Sequence, residues 1–104
     1  MVFHVLRHRA PTLDEDQLGN VEERLRGLAA IPSVEFLSVS RDGDDSKAIV
    51  LMIVFESTEA LKSYRTHPAH LETVSFLREL PLETTRINVE VKRSDLAAIT
   101  GALA

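Results

Sequence analysis

From Ala48 to Phe55 the chain reads Ala-Ile-Val-Leu-Met-Ile-Val-Phe, eight residues without a polar side chain. The run is far short of the roughly 20 residues that a membrane-spanning helix needs. It follows a turn sequence, Asp42-Gly-Asp-Asp-Ser, and reads as a strand over 47–55. Alternate side chains of a strand point to opposite faces. A strand that is apolar on both faces is buried on both faces, so any fold of this chain must supply two covers for it.

The surrounding pattern supplies one. Residues 2–8 read as a strand ended by Pro11. Thr12 stands three residues before Glu15 at capping-box spacing, and Asp14, Glu15 and Asp16 load the first turn with negative charge. Leu18, Val21, Leu25 and Leu28 then recur at helical spacing, which predicts an amphipathic helix over 14–29. Residues 34–41 form a second strand, paired as a hairpin with the third. Ser57 caps a short helix whose apolar face is Ala60, Leu61 and Tyr64. Pro68 starts a further helical segment, with Thr66 or His67 as its cap, and Pro81 ends it. Residues 84–92 alternate, with Ile87, Val89 and Val91 expected to face inward and Arg86, Asn88, Glu90 and Lys92 to face away. Ser94 caps an expected C-terminal helix. The domain is expected over 1–93, with 94–104 as a C-terminal extension.

The order βαββαβ is that of an α+β, ferredoxin-like domain: a four-stranded antiparallel sheet with two helices on one face. The helices cover one side of the third strand. The short C-terminal helix, rich in alanine and glycine, is a poor cover for the other. An open apolar sheet face marks an interface, and the simplest cover is a second copy packed sheet to sheet about a two-fold axis. The expected partner is therefore another copy of the chain, a homodimer through the open sheet face.

The chain has 104 residues, enough for one domain, with 44% apolar and 27% charged residues. Without cysteine it has no disulfide, thiolate nucleophile or cysteine zinc site. The net charge of -4 and the absence of a long basic cluster argue against nucleic acid as a partner. The N-terminus lacks the features of a signal peptide, and neither a signal nor a membrane span is expected. The expected location is the cytoplasm.

Local structure does not account for one cluster. Tyr64, His67 and His70 lie three residues apart, and hold the only tyrosine and two of the four histidines. At helical spacing they share a face. His4 and His8 lie on one face of the first strand with Leu6. Because the first and third strands are central in this topology, His4 is expected to approach Tyr64 and His70 between sheet and helices. His67 is expected to be a helix-start residue and His8 a solvated strand-end residue. His67 and His70 offer two metal ligands where a site needs three or four, so no metal and no cofactor is expected.

The segment Phe55-Glu-Ser-Thr-Glu-Ala-Leu-Lys-Ser-Tyr64-Arg-Thr-His67-Pro68-Ala69-His70 resembles the signature of the stress-responsive dimeric α/β-barrel (Dabb) family. The opening, Met1-Val-Phe-His4-Val-Leu-Arg, is similar to that family's first strand. The resemblance covers about residues 1–92. It implies two ferredoxin-like protomers whose sheets form a dimeric α+β barrel. Some members cyclise polyketide-derived substrates, and by motif position the resemblance makes His70 a general base, Tyr64 the hydroxyl that orients the substrate, and His4 a further ligand-binding residue. Histidine titrates near working pH without much tuning, and a tyrosine hydroxyl can bond a developing enolate oxygen. The cyclising members also carry a histidine on the third strand, where this chain has only apolar side chains, with Ile49 near the place. Three readings follow. The chain binds and transforms a small carbonyl or aromatic compound; or it is a stress-associated assembly protein without catalysis; or it is a cofactor-free monooxygenase of the related dimeric-barrel type.

Overall fold

A computed structural model describes residues 1–95. The four strands are β1 (Val2–Arg9), β2 (Phe36–Asp42), β3 (Asp45–Phe55) and β4 (Glu83–Glu90). The helices are α1 (Glu15–Arg26), α2 (Thr58–Thr66) and α3 (Pro68–Arg78), and a 3-10 turn, Gly27–Ala30, extends α1. The strands lie in the order β2-β3-β1-β4, antiparallel throughout. This is the ferredoxin-like arrangement, with β1 and β3 in the centre. The C-terminal helix expected from Ser94 lies, from residue 96 on, outside the described residues. Among the described residues no helix is long and apolar enough to cross a membrane.

The core lies between the sheet and the helices. β3 contributes Ile49, Leu51, Ile53 and Phe55, each at most 2% exposed. α1 presents Leu18, Val21 and Leu25 to them, and α2 adds Leu61 and Tyr64. Fully burying an aliphatic side chain of this size stabilises by roughly 1.5–3 kcal/mol, so these side chains fix the helix layer on the sheet. Arg41 of β2 reaches up to the same layer. Its guanidinium donates to Glu15 and, at 2.8 Å, to Glu22 of α1.

The start of α1 differs from the expected one. Asp14, not Thr12, is the N-cap: its carboxylate accepts from the Gln17 N–H at 2.8 Å, and the Gln17 side chain accepts from the Asp14 N–H. The reason is Leu13, which is buried. Its N–H closes a turn on the Ala10 carbonyl, so the helix begins only after Leu13 is anchored. The second junction follows the expectation. His67 ends α2 and caps α3, its Nδ1 accepting from the Ala69 N–H at 3.1 Å, with Pro68 in the first turn.

The facing of β4 is also corrected. Its register with β1 sets Ile87 beside Val5 and Val89 beside Phe3, on the side away from the helices. Ile87 is 61% exposed and Val89 44%. The side toward the helices carries Thr84, Arg86 and Asn88. The apolar residues of β4 therefore join Phe3, Val5, Val50, Met52, Val54 and Phe36 on one open face. At one end of that face a ladder of ion pairs crosses the sheet, with Arg7 bound to Asp42 and Asp45, and Arg9 to Asp45 and Glu83.

Candidate functional site

Three of the sequence-predicted residues meet under the helices. β1 points His4 into the layer, α2 points Tyr64 down onto it, and α3 brings His70 one short turn after its Pro68 start. The Tyr64 ring lies 4.5 Å from that of His70 and 6.2 Å from that of His4, in tilted and edge-on contact. Phe55, at the end of β3, closes the group at 5.0 Å from Tyr64. Such aromatic contacts contribute about 0.5–1.5 kcal/mol each beyond simple burial.

The hydrogen bonds fix how the imidazoles are presented. His70 Nδ1 donates to the Arg65 carbonyl at 3.0 Å, across the break between α2 and α3. His4 Nδ1 donates to the side-chain oxygen of Asn88 on β4. In a neutral ring this leaves Nε2 as the lone-pair nitrogen of both. Burial lowers the pKa of His4 below the ordinary 6.5, and Arg65, Arg86 and His70 add to it, while the Asn88 bond works the other way. Burial likewise lowers His70, against the bond to the Arg65 carbonyl. Tyr64 is 2% exposed, and burial pushes its phenol up. At neutral pH the cluster thus offers two uncharged imidazole bases and one protonated hydroxyl.

His67 does not join them, because its imidazole serves the α3 cap. His8, expected at a solvated strand end, does join them. It is 3% exposed, and its Nδ1 lies 2.8 Å from Thr84 Oγ1. Burial lowers its pKa as well. The signal was the spacing, since His4, Leu6 and His8 alternate onto one face. Asn88 was assigned to the wrong face with the rest of β4; only the strand register reveals it.

These side chains line a cavity of about 50 Å³, with Leu6, Leu25, Leu28, Leu51 and Leu77 as its apolar wall. A second hollow of about 330 Å³ adjoins it toward the surface, between α3 and β4, and shares Leu6, His8, Val74 and Leu77 with it. Among the described residues no group of three or more His, Asp or Glu side chains is arranged to hold a metal ion.

The fold and the cluster define a ferredoxin-like α+β chain with an imidazole-lined cavity beneath α2 and α3. The chain belongs to the stress responsive A/B barrel domain (Dabb) family, which it matches over residues 2–91. No curated protein sequence matches it. Among solved structures it is similar to a dimeric ferredoxin-like protein of unknown function from Thermobifida fusca, at 19% identity and a TM-score of 0.75, covering 86% of this chain and 90% of that one. It is also similar to a variant of SnoaB, a cofactor-independent oxygenase from Streptomyces nogalater, at 17% identity and a TM-score of 0.73, covering 88% and 93%. A dimeric protein of ferredoxin-like fold and unknown function from Bacteroides fragilis shares 18% identity at a TM-score of 0.70, covering 86% and 95%. At these identities the likeness extends to the fold.

Proposed function

We propose that the chain forms a homodimer through its open sheet face, and that each protomer binds a small aromatic or carbonyl compound in the cavity beneath α2 and α3 and moves a proton on it. The observation that carries the pocket reading is the convergence of His4, Tyr64 and His70 on one apolar cavity, with both histidines held neutral by burial. A neutral imidazole is the form that can take a proton. Its neighbour Tyr64, kept protonated, can donate to the oxygen on which negative charge then develops. In these roles His70 is the base, Tyr64 the orienting hydroxyl and His4 the second polar contact.

The dimer reading is supported by Phe36, Ile87 and Val89, large apolar side chains exposed on the open face. The Thermobifida fusca and Bacteroides fragilis proteins of this fold are described as dimeric. The inner cavity alone is smaller than a benzene ring requires. A ligand therefore occupies it together with the adjoining hollow, and the two approach the size of a small-molecule site.

A thermal-shift series with phenols and 1,3-diketones tests the pocket. A bound ligand raises the melting temperature by mass action. The expected result is a shift in the wild type that is lost in a still-folded His70→Ala. No shift in the wild type, with early melting of the variant, would make the histidine structural and the dimer itself the function. A cofactor-free oxygenase, the activity named for SnoaB, would begin from the same deprotonation; oxygen uptake with a quinol separates the two.

A further inference from the structure

His8 carries an atom that neither the core nor the cluster accounts for. Its Nε2 is buried without a hydrogen-bond partner among the described residues, while its Nδ1 is engaged by Thr84. A buried polar atom left unpaired is unfavourable, and such groups call for a ligand, a water or a functional reason. His8 also stands where the inner cavity and the outer hollow meet, since it lines both. His4, Tyr64 and His70 line only the inner one.

We propose that His8 Nε2 is a second polar anchor of the pocket, so that the preferred ligand is a two-ring aromatic diol with one hydroxyl at the His4–Tyr64–His70 end and the other at His8. This rests on the pocket reading above and adds to it the shape and chemistry of the occupant. A hydroxyl suits His8 because it both donates and accepts, and so satisfies the ring nitrogen in either tautomer. The length follows from the strand. His4 and His8 are four residues apart on one face, roughly 13 Å along β1 at the usual rise. Hydrogen bonds of about 3 Å at each end leave about 7 Å between the ligand oxygens, the span of a fused two-ring diol. Between the two ends lie Leu6, Val74 and Leu77, an apolar wall for the rings.

The test compares 2,6-dihydroxynaphthalene with 2-naphthol, by calorimetric titration of the wild type and His8→Phe. The wild type should bind the diol roughly tenfold more tightly than the single alcohol, the scale set by one buried partner left unpaired. His8→Phe should erase that preference, bringing the affinities for the diol and for 2-naphthol together. Nitrogen chemical shifts of the histidines in the wild type give a readout that needs no variant: the diol should move His8 Nε2, and 2-naphthol should move only His4 and His70. Equal affinities in the wild type, or a preference that survives His8→Phe, overturn the assignment, and would mean that a water satisfies His8. That outcome leaves the pocket itself standing. If neither naphthol binds while the wild type responds to other phenols or diketones, the His8 assignment falls alone; if nothing binds, both readings fall.

Discussion

The two faces of the sheet differ in an unexpected direction. Toward the helices β1 sets His4 and His8, both buried, and the exposed edge strand β4 sets Thr84 and Asn88 beside them. Toward solvent the same strands set Phe3, Val5, Ile87 and Val89. The inner face thus holds polar groups where an apolar core would suffice, and the outer face holds apolar groups where polar ones would keep a single chain soluble. Each departure has a cost: desolvated imidazoles on one side, hydrated aliphatic surface on the other. A chain that keeps both has a use for both, and in the account given above the uses are a ligand inside and a second copy outside.

The comparison can be broken most severely at Ile87. In a single chain this side chain is largely exposed, so Ile87→Asp should leave the fold intact. In the dimer it buries an uncompensated charge, at a cost of about 3–5 kcal/mol, and weakens association more than a hundredfold. Sedimentation velocity of the variant should show single chains; a dimer as tight as the wild type would remove the open face from the interface. Ile53→Ala tests the opposite face. Ile53 is fully buried against the helices, and the truncation should cost about 2–5 kcal/mol in urea unfolding. Ile87→Ala, its counterpart outside, should change the unfolding of isolated chains by no more than about 0.5 kcal/mol.

The histidines sharpen the contrast through pH. His4, His8 and His70 are all lowered from an ordinary value of 6.5. Between that value and their lowered values the unfolded chain binds more protons than the folded one, so stability increases with pH there. Thermal melts should therefore be flat above about pH 7.5 and fall as the pH drops through 6.5. In a variant with Phe at positions 4 and 8, much of that slope should vanish. A smaller effect than that of Ile53→Ala is expected at Asn88→Ala, about 0.5–1.5 kcal/mol for one lost hydrogen bond. Because the Asn88 bond raises the His4 pKa, its loss should move the His4 titration further down, which an effect on packing alone would not do.

Much of this was legible in the sequence, for identifiable reasons. Helix α1 is written in its period and strand β3 in an unbroken apolar run after a turn, and Ser57 and Pro68 mark the starts of α2 and α3. The order of elements gives the topology, and His4, Tyr64 and His70 fall together from it. The shift of the α1 cap from Thr12 to Asp14 was not legible, because it depends on Leu13 finding the core. Nor was the facing of β4. Its alternation is plain, but which side counts as inward depends on register with β1, which sets Val89 beside Phe3. The apolar side of β4 marks where cover is needed, and the chain's own helices lie on the other side. His8 differs from its expected place for a related reason: a strand end is exposed only where no neighbour covers it, and His8 sits among Leu25, Leu28 and Leu77 with Thr84 beside it.

The most direct test is sedimentation equilibrium of the wild-type chain over a range of concentration. The account predicts two-chain particles down to micromolar concentration or below, in which the open face of one sheet lies against that of the other. A single-chain particle throughout that range would contradict it, because Phe36, Ile87 and Val89 would then stand in water with no partner to explain them.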